Sequence, residues 1–397
     1  MKINKFLLFS FLSLFVLMPI KTHAFENTTE KEKLNSEDIE FAKKAVIQYY
    51  KNRDLGENNA LDSYFSKDVL KLINYKIMYK NYKNKELDIS YSKYNVIVKP
   101  VDIEKWVKKG NTLSFSLQVI SRFFYMNSDV ESEESIVLEI TVSKDKQGNI
   151  LITRCAQSLY SDVDEIKYYD MLSKKENVDK WLMDNFEVSK NEIEEAKKSK
   201  EEDLKEYKYD VKNDIETFGI NTSFDRQSIA NWARNNYDRI YPSSSSSYVP
   251  YYDFSSISGN YDCTNFVSHA LLAGGFSMND KGYSGIQGTN QWYFRSIKNR
   301  STSWSGVSQL YVFLTRKSNV FTGPSATEKK FSYNNSYLGD VIQVYYRGSG
   351  WGHSVIVTKF RNGIVLVTGR TAPNWYNNNI EARGMGSSQR LLHLEHR

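Results

Sequence analysis

The stretch Asn260 to Gly275, NYDCTNFVSHALLAGG, decides how the second half of this 397-residue chain is read. It sets a cysteine directly ahead of an apolar run that closes on two glycines. Asp262 is a residue type that caps helices, so the pattern predicts a helix with Cys263 at its first position. Phe266, Val267, Ala270 and Leu271 supply a buried face, and Gly274-Gly275 a left-handed stop. Cys263 shares a side with Val267 and Ala270, which points its sulfur toward whatever the helix packs against. The unpaired amides and the dipole at a helix start both favour an anion. A thiolate, the nucleophilic form of cysteine, is therefore expected here. The backbone N–H groups of Cys263 and its neighbour Thr264 are then placed to hold an oxyanion.

Two plainer roles compete for Cys263. It fills space at a helix start, or it forms a disulfide with Cys155, the only other cysteine, as exported proteins often do. A nearby base would decide. Of five histidines, His23 lies in the leader described below, and His269 is turned away from Cys263 on the same helix, in a packing or surface role. His393 and His396 lie in LLHLEHR near the C-terminus, and His393, which alternates with leucines, reads as structural. His353 is different: it follows the glycine-rich GSGWG and opens the strand HSVIVT. A cysteine on a helix N-terminus with a histidine on a neighbouring strand is an arrangement for nucleophilic catalysis. With Asn362-Gly363 as a two-residue turn, His353 falls opposite Ala372, and Arg370, Ala372 and Asn374 share its face. Arginine only donates hydrogen bonds. Either the amide oxygen of Asn374 orients His353, or the orienting group is absent.

Working outward, residues 1–24 read as a secretory signal peptide: Lys2 and Lys5, an apolar stretch from Phe6 to Ile20, then Thr22-His23-Ala24 as a cleavage site. The apolar stretch is shorter than the ~18 residues a membrane span needs. The mature protein is expected to be secreted, with no integral membrane segment. Hydrophobic residues at 40% allow cores to form, and a net charge of +6 over this length is too weak a bias for a nucleic-acid partner. No zinc-type cysteine spacing occurs, and neither metal nor organic cofactor is expected. The sequence leaves the oligomeric state open.

The chain reads as α+β. An N-terminal domain at 34–171 begins with helices from Asn35 and near Ala60 to Asn74. Alternating strands follow around Val96, Leu113 to Val119, Ile136 to Val142 and Ile150-Ile152. Cys155, in the last of these, reads as a small buried hydrophobe. Residues 172–217 are dense in alternating charge and read as a solvated helical linker. The C-terminal domain, 218–397, opens with a helix carrying Ile229, Trp232 and Ala233. It continues through a short helix at TNQWYFRSI and strands at Leu310 to Leu314, GDVIQVYYRG, HSVIVT and IVLVT.

YDCTNFVSHALLAGG followed by GDVIQVYYRGSGWGHSVIVT resembles the amidase domain family of papain-like cysteine hydrolases, from about Asp225 to His393. That family is similar to the NlpC-type cell-wall peptidases, which also start a helix with Asp-Cys-Ser/Thr. The resemblance implies a papain-like helix-plus-antiparallel-sheet domain, Cys263 as nucleophile, His353 as general base and Asp262 as the cap before the nucleophile. It matches Trp292 to a family tryptophan that packs the core. Where the family tends to carry His-Thr, this chain has Arg370-Thr371. The function expected is amide hydrolysis of a peptide or peptidoglycan substrate. Trp304, Trp351, Trp375 and Tyr251-Tyr252 are candidates to line a cleft. The alternative is a catalytically silent domain in a secreted binding protein, with the first half gripping the ligand.

Overall fold

The computed structural model describes residues 28–157, 161, 163–206, 224–245, 249–257, 261–317 and 322–395. The expected signal peptide, 1–24, lies outside them. The residues from Asp38 to Arg397 form one compact unit.

Two helices, α1 (Thr28–Leu55) and α2 (Lys67–Glu86), precede the strands β1 (Tyr91–Val101), β2 (Val107–Lys109), β3 (Thr112–Tyr125), β4 (Glu131–Lys144) and β5 (Ile150–Gln157). The alternation in β3 and β4 buries Leu113, Phe115, Leu117 and Val119 with Ile136, Leu138, Ile140 and Val142. These pack on Ala42, Val46 and Tyr49 of α1 and Val69 and Ile73 of α2. The second helix starts at Lys67 rather than near Ala60, because Phe65 is drawn into a bridge with Ile152 first. Cys155 is buried and free in β5, as its surroundings predicted.

Helices α3 (Glu165–Ser173) and α4 (Val178–Glu206) follow. The described part of the charged segment, as far as Glu206, is largely helical but is not a solvated spacer, and residues 207–217 of the expected linker lie outside the described residues. Val178, Leu182, Phe186 and Ile193 bury one face of α4 in a cluster with Leu72, Tyr75 and Tyr79 of α2. Farther along, Lys200 pairs with Glu381 and Arg383 with Asp203, all buried. The dense surface charge hid an apolar stripe at spacings of four and seven.

The second half comprises α5 (Arg226–Asn236), α6 (Cys263–Ala273), β6 (Phe294–Ser296), β7 (Asn299–Arg300), α7 (Thr302–Ser305) and α8 (Val307–Leu314). The strands β8 (Ser325–Lys330), β9 (Val341–Tyr346), β10 (Gly350–Arg361), β11 (Ile364–Ala372), β12 (Trp375–Glu381) and β13 (Ser388–Glu395) complete it. Two local expectations fail. TNQWYFRSI is not helical; Trp292, Tyr293 and Phe294 are buried in succession and lead into β6. Leu310 to Leu314 is the end of a helix, since Leu310, Phe313 and Leu314 fall on one buried side. Short apolar runs do not distinguish the two periods.

Eleven of the thirteen described strands form one antiparallel sheet, with β1-β3-β4-β12-β11-β10-β9-β13-β8 as its main path, and β6 and β7 pair with each other. The α+β class stands. The sheet is continuous across both halves because β12 pairs with β4, Tyr376 opposite Ser135 and Asn378 opposite Glu133. Ser132 Oγ donates to Asn379 O at 2.8 Å, and Tyr376 Oη donates to Glu133 at 2.7 Å, closing the seam.

Candidate active site

Helix α6 starts where the sequence indicated, and every residue from Cys263 to Leu271 is buried. Its start is not capped as expected. Asp262 has φ −101° and ψ −3°, and its side chain makes no cap bond, because a capping residue normally takes extended backbone. The carboxylate turns instead to a buried cluster. It accepts from Phe254 N at 3.1 Å, Asn265 Nδ2 at 2.9 Å, Arg370 Nε at 3.1 Å, and the Tyr251 hydroxyl. Burial, reinforced by the neighbouring Asp253 charge, pushes the Asp262 carboxyl up to about 7 against the pull of Arg370.

Arg370 is therefore not idle. It is fully buried and also donates to Asp253 Oδ2 at 3.1 Å and to the carbonyls of Tyr237 and Arg239. Its five donors in a planar fork suit an array of carboxylates and carbonyls. Sequence reasoning noted the residue but missed its partners, since Asp253 and Tyr251 lie in a loop with no periodic signal.

The hairpin of β10 and β11 sets the strand side of the site. Asn362 and Gly363 both have positive φ, as a two-residue hairpin turn requires. The register beside the turn is the one anticipated, with Lys359 opposite Leu366. A bulge at Thr358 then moves it by one, to Val357 opposite Val367 and Ile356 opposite Thr368. Carried on, that register sets His353 against Thr371 rather than Ala372, because each bulge exchanges the two faces. Ser354 and Arg370 thus face α6. Ser354 Oγ lies 3.3 Å from Thr264 Oγ1. His353 instead leans toward Gly369: a Cβ built there would lie 3.1 Å from its Nε2.

The β10–β11 pairing ends at Ile356 and Thr368, and the N-terminus of α6 meets both strands beyond that point. Asp262 N donates to Thr371 O at 3.0 Å, and Cys263 Sγ sits 3.9 Å from the carbonyl oxygen of Gly352, the residue before His353. Phe266 is the first amide to bond back along the helix, to Asp262 O at 2.9 Å, so those of Thr264 and Asn265 precede the helical ladder. Cys263 and His353 are each 2% exposed. Burial holds the imidazole of His353 down to about 3, so it is neutral at ordinary pH. Cys155 and Cys263 are not joined in a disulfide, which overturns the disulfide alternative.

The other candidates fall elsewhere. Asn374 lies in the β11–β12 turn, and its carbonyl accepts from Ser135 Oγ at 2.7 Å and Gln118 Nε2 at 3.3 Å. The shifted register removes the geometric basis for expecting its side chain beside His353. His269 packs among Trp232, Tyr251 and Trp304. His393 Nδ1 is 2.9 Å from Asp340 Oδ2. Trp292 and Trp304 are core residues, Trp292 donating to Ser268 Oγ and Trp304 to Asn265 Oδ1. Trp375 and His353 line a cavity together with Tyr75, Tyr79 and Tyr91 of the first half. Among the described residues, no group of three His, Cys, Asp or Glu side chains is placed to hold a metal ion, and no helix is long and apolar enough to cross a membrane.

Residues 223–393 match the family model described as "Putative amidase domain". The match spans less than half of the chain and supports a hydrolase acting on amide bonds. No curated protein and no solved structure matches the chain.

Proposed function

We propose that this chain is a secreted cysteine amidase in which Cys263 is the nucleophile and His353 the base. The amidase match supports the reaction class. The observation that carries the cysteine mechanism is the approach of Cys263 Sγ to the backbone immediately before His353, at the point where β10 and β11 part. A neutral imidazole is the proton-accepting form, and burial supplies it. Because burial disfavours a standing imidazolium, the thiol proton passes to His353 as sulfur bonds to the substrate carbonyl carbon. The first-turn amides of α6 donate to the oxyanion. The imidazolium then protonates the leaving amine as the C–N bond breaks, leaving a thioester. Water, deprotonated by His353, releases the acid and restores the thiol.

The substrate class rests on likeness to cell-wall peptidases, which suggests peptide bonds of peptidoglycan. Secretion rests on the leader-like start. Incubation with purified peptidoglycan should release peptide fragments detectable by mass analysis, and Cys263→Ala should lower the rate at least about 10³-fold. Fragments released equally by Cys263→Ala would sink the mechanism.

The burial of both groups favours a second reading, a silent domain in a binding protein. A thiol-directed electrophile separates the two. An enzyme labels at Cys263 faster than a simple surface thiol, and His353→Ala slows it; a silent domain labels no faster than that thiol.

A further inference from the structure

Gly369 lies on β11 between His353 on β10 and Asn377 on β12. Asn377 pairs directly with Gly369 across the ladder. A Cβ built on Gly369 would lie 3.1 Å from His353 Nε2 and 3.1 Å from Asn377 Oδ1. Two side chains from alternate strands thus lean over the one intervening residue that has no side chain to separate them. The amide is already turned the right way. Asn377 Nδ2 faces Met385 Sδ at 3.9 Å, which directs the oxygen to the opposite side. That oxygen is buried and has no hydrogen-bond partner among the described residues. Buried carbonyl oxygens are normally satisfied. Both atoms therefore border the same space over Gly369, and catalytic hydrogen bonds commonly tighten only in the substrate complex.

We infer that Asn377 Oδ1 accepts the Nε2–H of His353 across Gly369 and thereby fixes the tautomer whose Nδ1 takes the Cys263 proton. Asn377 is then a positioning residue, acting through the imidazole without touching substrate. The inference rests on the proposed roles of Cys263 and His353. It differs from the expected arrangement, in which the partner of the histidine comes from the neighbouring strand. The charged groups lining the same cavity are Arg53, Asp54, Lys76, Lys80 and Glu134.

The test is alkylation of Cys263 by iodoacetamide in the full chain, followed by peptide mass mapping across pH. A general base contributes about 10²–10⁴-fold, so its misorientation in Asn377→Leu should slow alkylation by about tenfold or more at pH 7. Asn377→Asp keeps an acceptor of the same shape, so it should stay within a few-fold of the parent rate. Its carboxylate also favours the imidazolium, so a histidine-like acid inflection should rise toward neutral pH. A purely structural Asn377 would not give loss of rate in a folded Asn377→Leu together with a rate kept in Asn377→Asp. Urea unfolding checks that each variant is folded; if Asn377→Leu is not, the rate of Asn377→Ala decides. Parent rates in the folded variants, while His353→Ala is slow, would overturn this inference alone. If His353→Ala also alkylates at the parent rate, the Cys263–His353 reading fails and the inference falls with it.

Discussion

Arg370 carries a full charge with no exposed surface, held by Asp262, Asp253 and backbone carbonyls. Its weight is best judged by removing it. Above about pH 7, where Asp262 is ionised, Arg370→Leu leaves its carboxylate buried without its cation, so the chain should lose about 3–5 kcal/mol in urea unfolding. A loss under ~1 kcal/mol would mean that Tyr251, Asn265 and Phe254 N satisfy Asp262 unaided. His353 gives a second residue-scale expectation. The sequence suggested a thiolate at Cys263 with His353 as its base. In the folded chain burial lowers this imidazole to about 3. The base form is therefore present throughout mildly acid and neutral pH. Alkylation of Cys263 should show no histidine inflection between about pH 5 and 8; one near the ordinary value of ~6.5 would place the ring in water.

At the scale of elements, the bulge at Thr358 matters more than any single hydrogen bond. Without it, His353 would share a face with Arg370 and Asn374; with it, His353 shares a face with Gly369. The turn at Asn362-Gly363 was legible because only residues tolerant of positive φ suit it. The bulge was not, because Lys359, Thr358 and Val357 carry no local mark of one extra residue. Gly369→Ala should be poorly tolerated, since its Cβ would lie 2.6 Å from Val355 Cγ1 as well as close to His353. Forced overpacking costs about 1–3 kcal/mol, readable as a lower urea midpoint. Helix α4 is a comparable case. Lys200 Nζ reaches Glu381 at 2.8 Å and the Leu87 carbonyl, fastening α4 to the end of β12. Lys200→Met should destabilise by about 3–5 kcal/mol by leaving Glu381 without its nearest cation.

At the scale of the whole molecule, one sheet carries both halves, so unfolding followed at Trp292 and at β3 should give a single transition. Two separated transitions would show that the β4–β12 seam opens first. Acid should weaken the fold. His269 and His353 are each lowered by burial to about 3, whereas their unfolded value is 6.5, so below 6.5 the unfolded chain binds two protons that the native state does not. Asp262 opposes this: raised to about 7 from 3.8, it binds one proton more in the native state across that range. One proton net remains, so stability should fall by about 1.4 kcal/mol per pH unit between about pH 6.5 and 3.8. A flat or rising stability on acidification would contradict these burials. By itself the sequence determined what depends on near neighbours: the helix behind Cys263, the strands of the first half, the Asn362-Gly363 turn and the existence of a strand through His353, although that strand begins at Gly350 rather than at His353. All of these rest on residue periodicity and backbone preference within about ten positions. Only the tertiary structure decided what depends on distant partners. The bulge that turns His353 toward Gly369 acts across a hairpin, and the burial of α4, the joining of β4 to β12 and the loop carboxylate that meets Arg370 each pair residues about a hundred or more positions apart. Such pairings are chosen by the packing of the whole chain, which no local pattern records.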